Sequence, residues 1–197
     1  MDCYIARRPQ SELVFDSFNR ANGNLGNAES GQPWLTGGSP TTAWVVASNV
    51  AKRASATTSV DDVAYIDCGT PNVTVSATIT MSTVSNGCFL VARMSGTNMN
   101  NSMSAVFVDS PNLVLIQKSI AGVVTDLASV SYSITSGVAY DCSFICSGND
   151  FTVKINGSVV ATATNDNALK TNTKVGMFCP LPLASTNDFF ENFTAKG

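Results

Sequence analysis

The chain has 197 residues, 44% of them hydrophobic and only 13% charged, with 11 basic against 14 acidic side chains and a net charge of -3. That is enough apolar material for the core of one all-β domain, and the lack of any basic block excludes nucleic acid as a partner, because phosphates demand clustered Lys and Arg. No apolar run reaches the ~20 residues of a bilayer-spanning helix, and the stretch from Met1 to Arg8 lacks the apolar core of a signal peptide, so a soluble protein made in the cytoplasm, without membrane insertion, is expected.

In chain order, residues 1–13 precede any alternating pattern and read as an extended N-terminal arm, with the domain proper over 14–197. Tyr4 and Ile5 offer apolar area to a neighbour, and Arg7 and Arg8 offer forked donors, which makes these four the candidate anchors to a partner protein. Next come Phe15-Asp16-Ser17-Phe18-Asn19-Arg20-Ala21, then Leu25-Gly26, then Trp34; Trp44 opens a further strand. From Val73 to Ser82, Val73, Val75, Ala77, Ile79 and Met81 alternate with hydroxyl residues, the pattern of an antiparallel strand with one side in the core. Similar windows follow at Cys88 to Met94, Met103 to Asp109, Leu113 to Ile120, Val123 to Tyr132 and Ala139 to Cys146, separated by turn residues such as Ala121-Gly122. Phe151 to Thr164 reads as a hairpin turning at Asn156-Gly157, with Val153 and Ile155 facing the core and Lys154 facing water. No segment holds a 3.6-residue stripe, so the expected fold class is an all-β, antiparallel, two-sheet sandwich.

The six cysteines, at positions 3, 68, 88, 142, 146 and 179, are too sparse for a disulfide scaffold. Cys142 and Cys146 lie about 13 Å apart along a strand, too far to bridge, and share parity with Phe144, which reads as buried free thiols. A bridge between cysteines on different strands stays open.

Catalytic chemistry finds little support. With no histidine in the chain, Ser-His-Asp and Cys-His arrangements are excluded. Asp61-Asp62 is the one adjacent acidic pair, and its side chains diverge in a strand or turn, so a glycosidase dyad is not expected. No D-x-D cluster suggests calcium, and no metal or cofactor is expected. Exposed aromatics and carboxamides suited to a sugar are Tyr65, Tyr132 and the loop residues Asn98, Asn100 and Asn101; the last three also suit a simple turn.

The run from Phe15 to Trp34 resembles the opening signature of concanavalin A-like (laminin G-like) jelly-roll domains of phage tail and other virion proteins and of bacterial secreted proteins. The late Phe151-x-Val153-x-Ile155-Asn156-Gly157 hairpin and the closing Asp188-Phe189-Phe190-Glu191-Asn192-Phe193 extend the likeness. The resemblance implies a jelly-roll sandwich in which the first and last strands pair. It further implies a non-enzymatic accessory protein of a bacteriophage virion, assembled in the host cytoplasm as a head decoration, collar or tail component. Its partners would then be capsid or tail subunits and further copies of itself in a homo-oligomer. The alternative is a carbohydrate-binding module that attaches to a host-surface glycan.

Overall fold

Alternation along the chain decides which residues face inward. In the computed structural model, which describes residues 11–37, 44–54, 63–82, 87–164, 169–180 and 188–197, Val73, Val75, Ala77 and Ile79 are buried in the core while Thr74, Ser76 and Thr78 face outward. Repeated from strand to strand, this pattern yields sixteen strands and no helix among the described residues.

Nine strands form one antiparallel sheet: β1 (Glu12–Asp16), β2 (Gly23–Asn24), β4 (Trp44–Ala47), β5 (Val50–Arg53), β7 (Val73–Thr80), β12 (Ala139–Ser147), β13 (Asp150–Ile155), β14 (Ser158–Thr164) and β16 (Phe189–Lys196). Seven form the other: β3 (Leu35–Thr36), β6 (Ala64–Asp67), β8 (Cys88–Met94), β9 (Ser102–Val108), β10 (Leu113–Ile120), β11 (Val123–Ser131) and β15 (Lys174–Phe178). Their order is β11-β10-β9-β8-β15-β6-β3. The two sheets bury one common core, in which Phe144 stacks on Phe151 and Trp44 packs on Phe190. This is the expected sandwich.

The first and last strands do pair, with Phe15 opposite Thr194 and Asp16 opposite Phe193. Pairing starts earlier than the arm boundary at residue 13 allows: Glu12 lies opposite Lys196, and Ser11 and Gly197 exchange backbone hydrogen bonds of 3.1 and 3.0 Å. The domain therefore includes residues 11–13, which take up backbone groups the edge of β16 would otherwise leave unpaired. Tyr4, Ile5, Arg7 and Arg8 lie outside the described residues.

The opening signature is explained by one buried carboxylate. Asp16, 0% exposed, accepts hydrogen bonds from the Phe18 backbone N–H (2.9 Å), from both terminal nitrogens of Arg20 (2.6 and 2.9 Å) and from Trp34 Nε1 (2.7 Å). Arg20 reaches on to the Leu25 carbonyl at 2.5 Å, and Gly26, at φ +64°, accepts from the Trp34 backbone N–H at 2.9 Å. A buried charge persists only when paired and fully hydrogen-bonded, so Phe18, Arg20 and Trp34 of the motif each answer a demand of Asp16. Trp34 then packs between Phe18 and Phe193, tying the motif to the last strand.

The hairpin from β13 to β14 turns at Asn156 (φ +49°) and Gly157 (φ +80°), the two positive angles of a type I′ turn, with Val153 and Ile155 buried and Lys154 half-exposed. The β10–β11 turn has the same conformation at Ala121 (φ +50°) and Gly122 (φ +81°).

Strands β8 and β9 depart from simple alternation because both of their faces are covered. A second apolar cluster, of Val63, Tyr65, Val91, Met94 and Phe178 with Phe89 and Met99 beside them, sits on the outer side of the seven-stranded sheet. Backbones approach closely beneath it: a Cβ at Gly176 would fall 2.0 Å from the Ala64 carbonyl oxygen, so only glycine fits there.

Candidate functional site

Beside that outer cluster the seven-stranded sheet carries a cavity of about 310 Å³. Register builds its floor. Ser104 lies opposite Gln117 and Ser102 opposite Ser119 across β9 and β10, so four polar side chains two residues apart project on one face. One wall is Phe89 of β8 and Phe178 of β15, directly paired, with ring centroids 5.1 Å apart at 77°. The other wall is Val124 of β11, which lies opposite Ser119. Met99 and Asn100 close one end.

The polar groups are held in place from behind. Gln117 Nε2 donates to Asp126 Oδ1 at 2.8 Å, which fixes the carboxamide and leaves its oxygen as an acceptor. Ser102 Oγ donates to the Met99 carbonyl (3.0 Å) and Ser119 Oγ to the Asn100 carbonyl (3.2 Å), so each hydroxyl keeps lone pairs for an incoming donor. No carboxylate, lysine or arginine lines the cavity among the described residues. Of the charges nearby, Asp126 is bound to Gln117, while Lys174 Nζ donates to the Gly96 carbonyl at 2.5 Å and lies 4.8 Å from the centre of the Tyr65 ring. Hydrogen bonds from Thr173 and the Gly69 backbone, aided by Lys174, hold the Asp67 carboxyl below the usual range.

The residues named from sequence as sugar contacts separate into four groups. Asn100 lines the cavity. Asn98 and Asn101 instead secure turns, Asn98 Oδ1 accepting from the Asn100 backbone N–H at 3.1 Å and Asn101 Oδ1 from the Ala121 N–H at 3.0 Å. Tyr65 belongs to the outer cluster on the same face, with Lys174 over its ring and burial pushing its phenol pKa up, and it does not line the cavity. Tyr132 lies just past β11 and packs, half-buried, against the sandwich core. Phe89, Phe178, Ser102, Ser104, Gln117 and Ser119 were not singled out from sequence, although Ser102-x-Ser104 and Gln117-x-Ser119 carry the spacing of a polar strand face.

Cys142 and Cys146 are buried free thiols in the core, and burial pushes the Cys146 thiol up to about 12. Cys88, Cys179 and Asp188 form the one group of three metal-type ligands among the described residues, their ligand atoms within 4.8 Å of one another. This group lies inside the sandwich, where Asp188 Oδ1 accepts from the Ser82 backbone N–H at 2.6 Å and Arg53 donates to the Cys179 carbonyl at 3.2 Å. The nearby guanidinium disfavours a second positive charge.

No family model and no curated protein matches the sequence. Solved structures do share the fold. Carbohydrate binding module CBM66 from Bacillus subtilis superposes with a TM-score of 0.64 at 17% identity, over 83% of this chain and 95% of that one. A Bacillus subtilis protein of unknown function with a galectin-like fold gives 0.62 at 10% identity, over 95% and 97%. Domain 4 of AbnA, an extracellular arabinanase from Geobacillus stearothermophilus solved with arabinotriose, gives 0.58 at 12% identity, over 96% and 93%. At these identities the likeness establishes the fold, a jelly-roll sandwich of the kind seen in carbohydrate-binding modules and galectins.

Proposed function

We propose that this chain is a glycan-binding domain that seats a neutral sugar in the groove of its seven-stranded sheet, without cleaving it. The observation that carries the reading is the groove's composition: a phenylalanine pair on one wall, and a floor of Ser102, Ser104, Gln117 and Ser119 with Asn100 at the end. A pyranose or furanose ring presents C–H groups on its faces and hydroxyls around its rim, so it needs an apolar wall set at right angles to fixed donors and acceptors. The uncharged lining favours neutral over acidic sugars, since an anion would lose its hydration without gaining a cation. Solved relatives of fold that bind carbohydrate support the reading without identifying the sugar.

Binding without cleavage is favoured because glycoside hydrolysis requires two carboxyls about 5 to 9.5 Å apart across the bond, and the lining of this cavity, among the described residues, supplies neither. The virion reading rests on the arm residues Tyr4, Ile5, Arg7 and Arg8, which lie outside the described residues, and on the resemblance that opens at residues 15–34. The latter satisfy Asp16, a need of the fold that does not depend on a particle, so the reading with a site behind it is the stronger.

A glycan array probed with the full chain tests the proposal. Signal on neutral oligosaccharides, weakened by Gln117→Ala and Phe89→Ala, supports it. Uniform background, or signal confined to acidic glycans, overturns it.

A further inference from the structure

Behind the aromatic wall of the groove lies a second pair. β8 and β15 run antiparallel with Phe178 opposite Phe89 and Met177 opposite Leu90; continuing that register one residue past the end of β15 sets Cys179 against Cys88. Alternation points the phenylalanines outward and the cysteines inward: both thiols are buried in the core, and their sulfurs are 3.6 Å apart. Directly opposed residues of an antiparallel pair have Cα atoms about 4.5 to 5.5 Å apart, inside the ~4.4 to 6.8 Å window that a disulfide accepts. With the sulfurs 3.6 Å apart, a closure of about 1.5 Å reaches bonding distance, a movement on the scale of side-chain rotation.

We infer that Cys88 and Cys179 are a redox pair that closes a disulfide in an oxidising environment, stapling β8 to β15 directly behind Phe89 and Phe178. With a small-molecule disulfide such as oxidised glutathione as oxidant, the thiolate of one cysteine attacks it and releases one reduced thiol. The second cysteine then attacks the mixed disulfide and releases the other. One S–S bond is formed and one broken, and the two protein thiol protons end on the two released thiols.

The remaining described cysteines are placed differently. Cys68 Sγ donates to the Thr173 carbonyl at 3.0 Å, and Cys142 and Cys146 stand four residues apart on β12. Burial, with further contributions from Cys179 and Asp188, pushes the Cys88 thiol well above its ordinary range, so attack from the folded state is slow and the bridge closes as the chain folds. Once closed, the bridge joins distant parts of the chain, and its main effect is to restrict the unfolded ensemble.

The test compares the full chain refolded in a glutathione redox buffer with the chain refolded under a phosphine reductant. Non-reducing peptide mapping of the oxidised sample is expected to recover one cross-linked peptide joining Cys88 to Cys179, and its Tm is expected to exceed that of the reduced sample by roughly 5 to 15 °C. Cys88→Ala combined with Cys179→Ala should abolish that difference. The mapping uses only the unaltered chain, so it decides the matter even if the double variant folds poorly. Recovery of both cysteines as free alkylated thiols, or a bridge mapped to other positions, overturns the inference. So does stoichiometric zinc that keeps the pair reduced, which would assign Cys88, Cys179 and Asp188 to a metal instead.

Discussion

Phe89 and Phe178 meet edge to face, 5.1 Å between centroids, as directly opposed residues of β8 and β15. Edge-to-face contact adds about 0.5 to 1.5 kcal/mol to the area the rings bury, so the pair both ties the strands and gives the groove a stiff apolar wall. Phe89 is the more accessible of the two, half-buried where Phe178 is buried. Phe89→Ala is therefore expected to weaken sugar binding while lowering Tm, whereas Phe89→Leu should retain most of the stability and still lose affinity. Equal affinity in the Leu variant, measured by calorimetric titration, would remove the ring from the site.

The Asp16 network gives the sharpest expectation for stability. Removing one partner from a buried, charged network costs about 3 to 5 kcal/mol, because the remaining groups stay buried and unpaired. Asp16→Ala leaves Trp34 Nε1 without its acceptor and Arg20, 28% exposed, with the Leu25 carbonyl alone, and should fall at the low end of that range. Trp34→Phe keeps the packing against Phe18 and Phe193 and deletes a single donor, so it should cost less. Denaturant unfolding of the two variants checks the order; a loss below about 1 kcal/mol for Asp16→Ala would contradict the role given to the carboxylate.

Along β13, Ile155 is 2% exposed and Lys154 half-exposed. Ile155→Ala should cost about 2 to 5 kcal/mol and Lys154→Ala no more than about 0.5 kcal/mol. Similar melting shifts for the two would place the strand in the other register.

Ala121 occupies the first left-handed position of the β10–β11 turn and is exposed, a conformation that disfavours a Cβ and that asparagine tolerates better. Ala121→Asn is expected to gain a few tenths to about 1 kcal/mol. A loss of stability would mean that the side chain meets the Asn100–Asn101 loop, whose Asn101 Oδ1 accepts from the Ala121 N–H.

How much of this was legible in the sequence depended on how far apart the interacting residues lie. The alternation of Val73 to Thr80 and the Asn156-Gly157 turn are local, and strands and hairpin stand where those residues imply. The Phe15 to Trp34 signature was legible as a motif, but its purpose was not, because the demand that unites it arises only when Trp34 comes within 2.7 Å of Asp16. The groove was harder still. Phe89 and Phe178 become a wall only through the β8–β15 pairing, and Val91 and Val106, buried on the outer side, blur the alternation that would have marked that face. The Asn98 to Asn101 loop was recognisable as polar; that Asn100 faces the cavity while Asn101 ties down a turn follows from the hairpin beside it.

The central claim, a neutral sugar held in this groove, is tested most directly by titrating the isotopically labelled full chain with the strongest neutral oligosaccharide from the array and following backbone and side-chain amide resonances. The shifts are expected to concentrate on Phe89, Asn100, Ser104, Gln117, Ser119 and the Gln117 carboxamide, and Gln117→Ala should weaken binding about tenfold, the equivalent of one hydrogen bond of about 1.4 kcal/mol. Shifts confined to the nine-stranded sheet, or none at millimolar sugar, would contradict it.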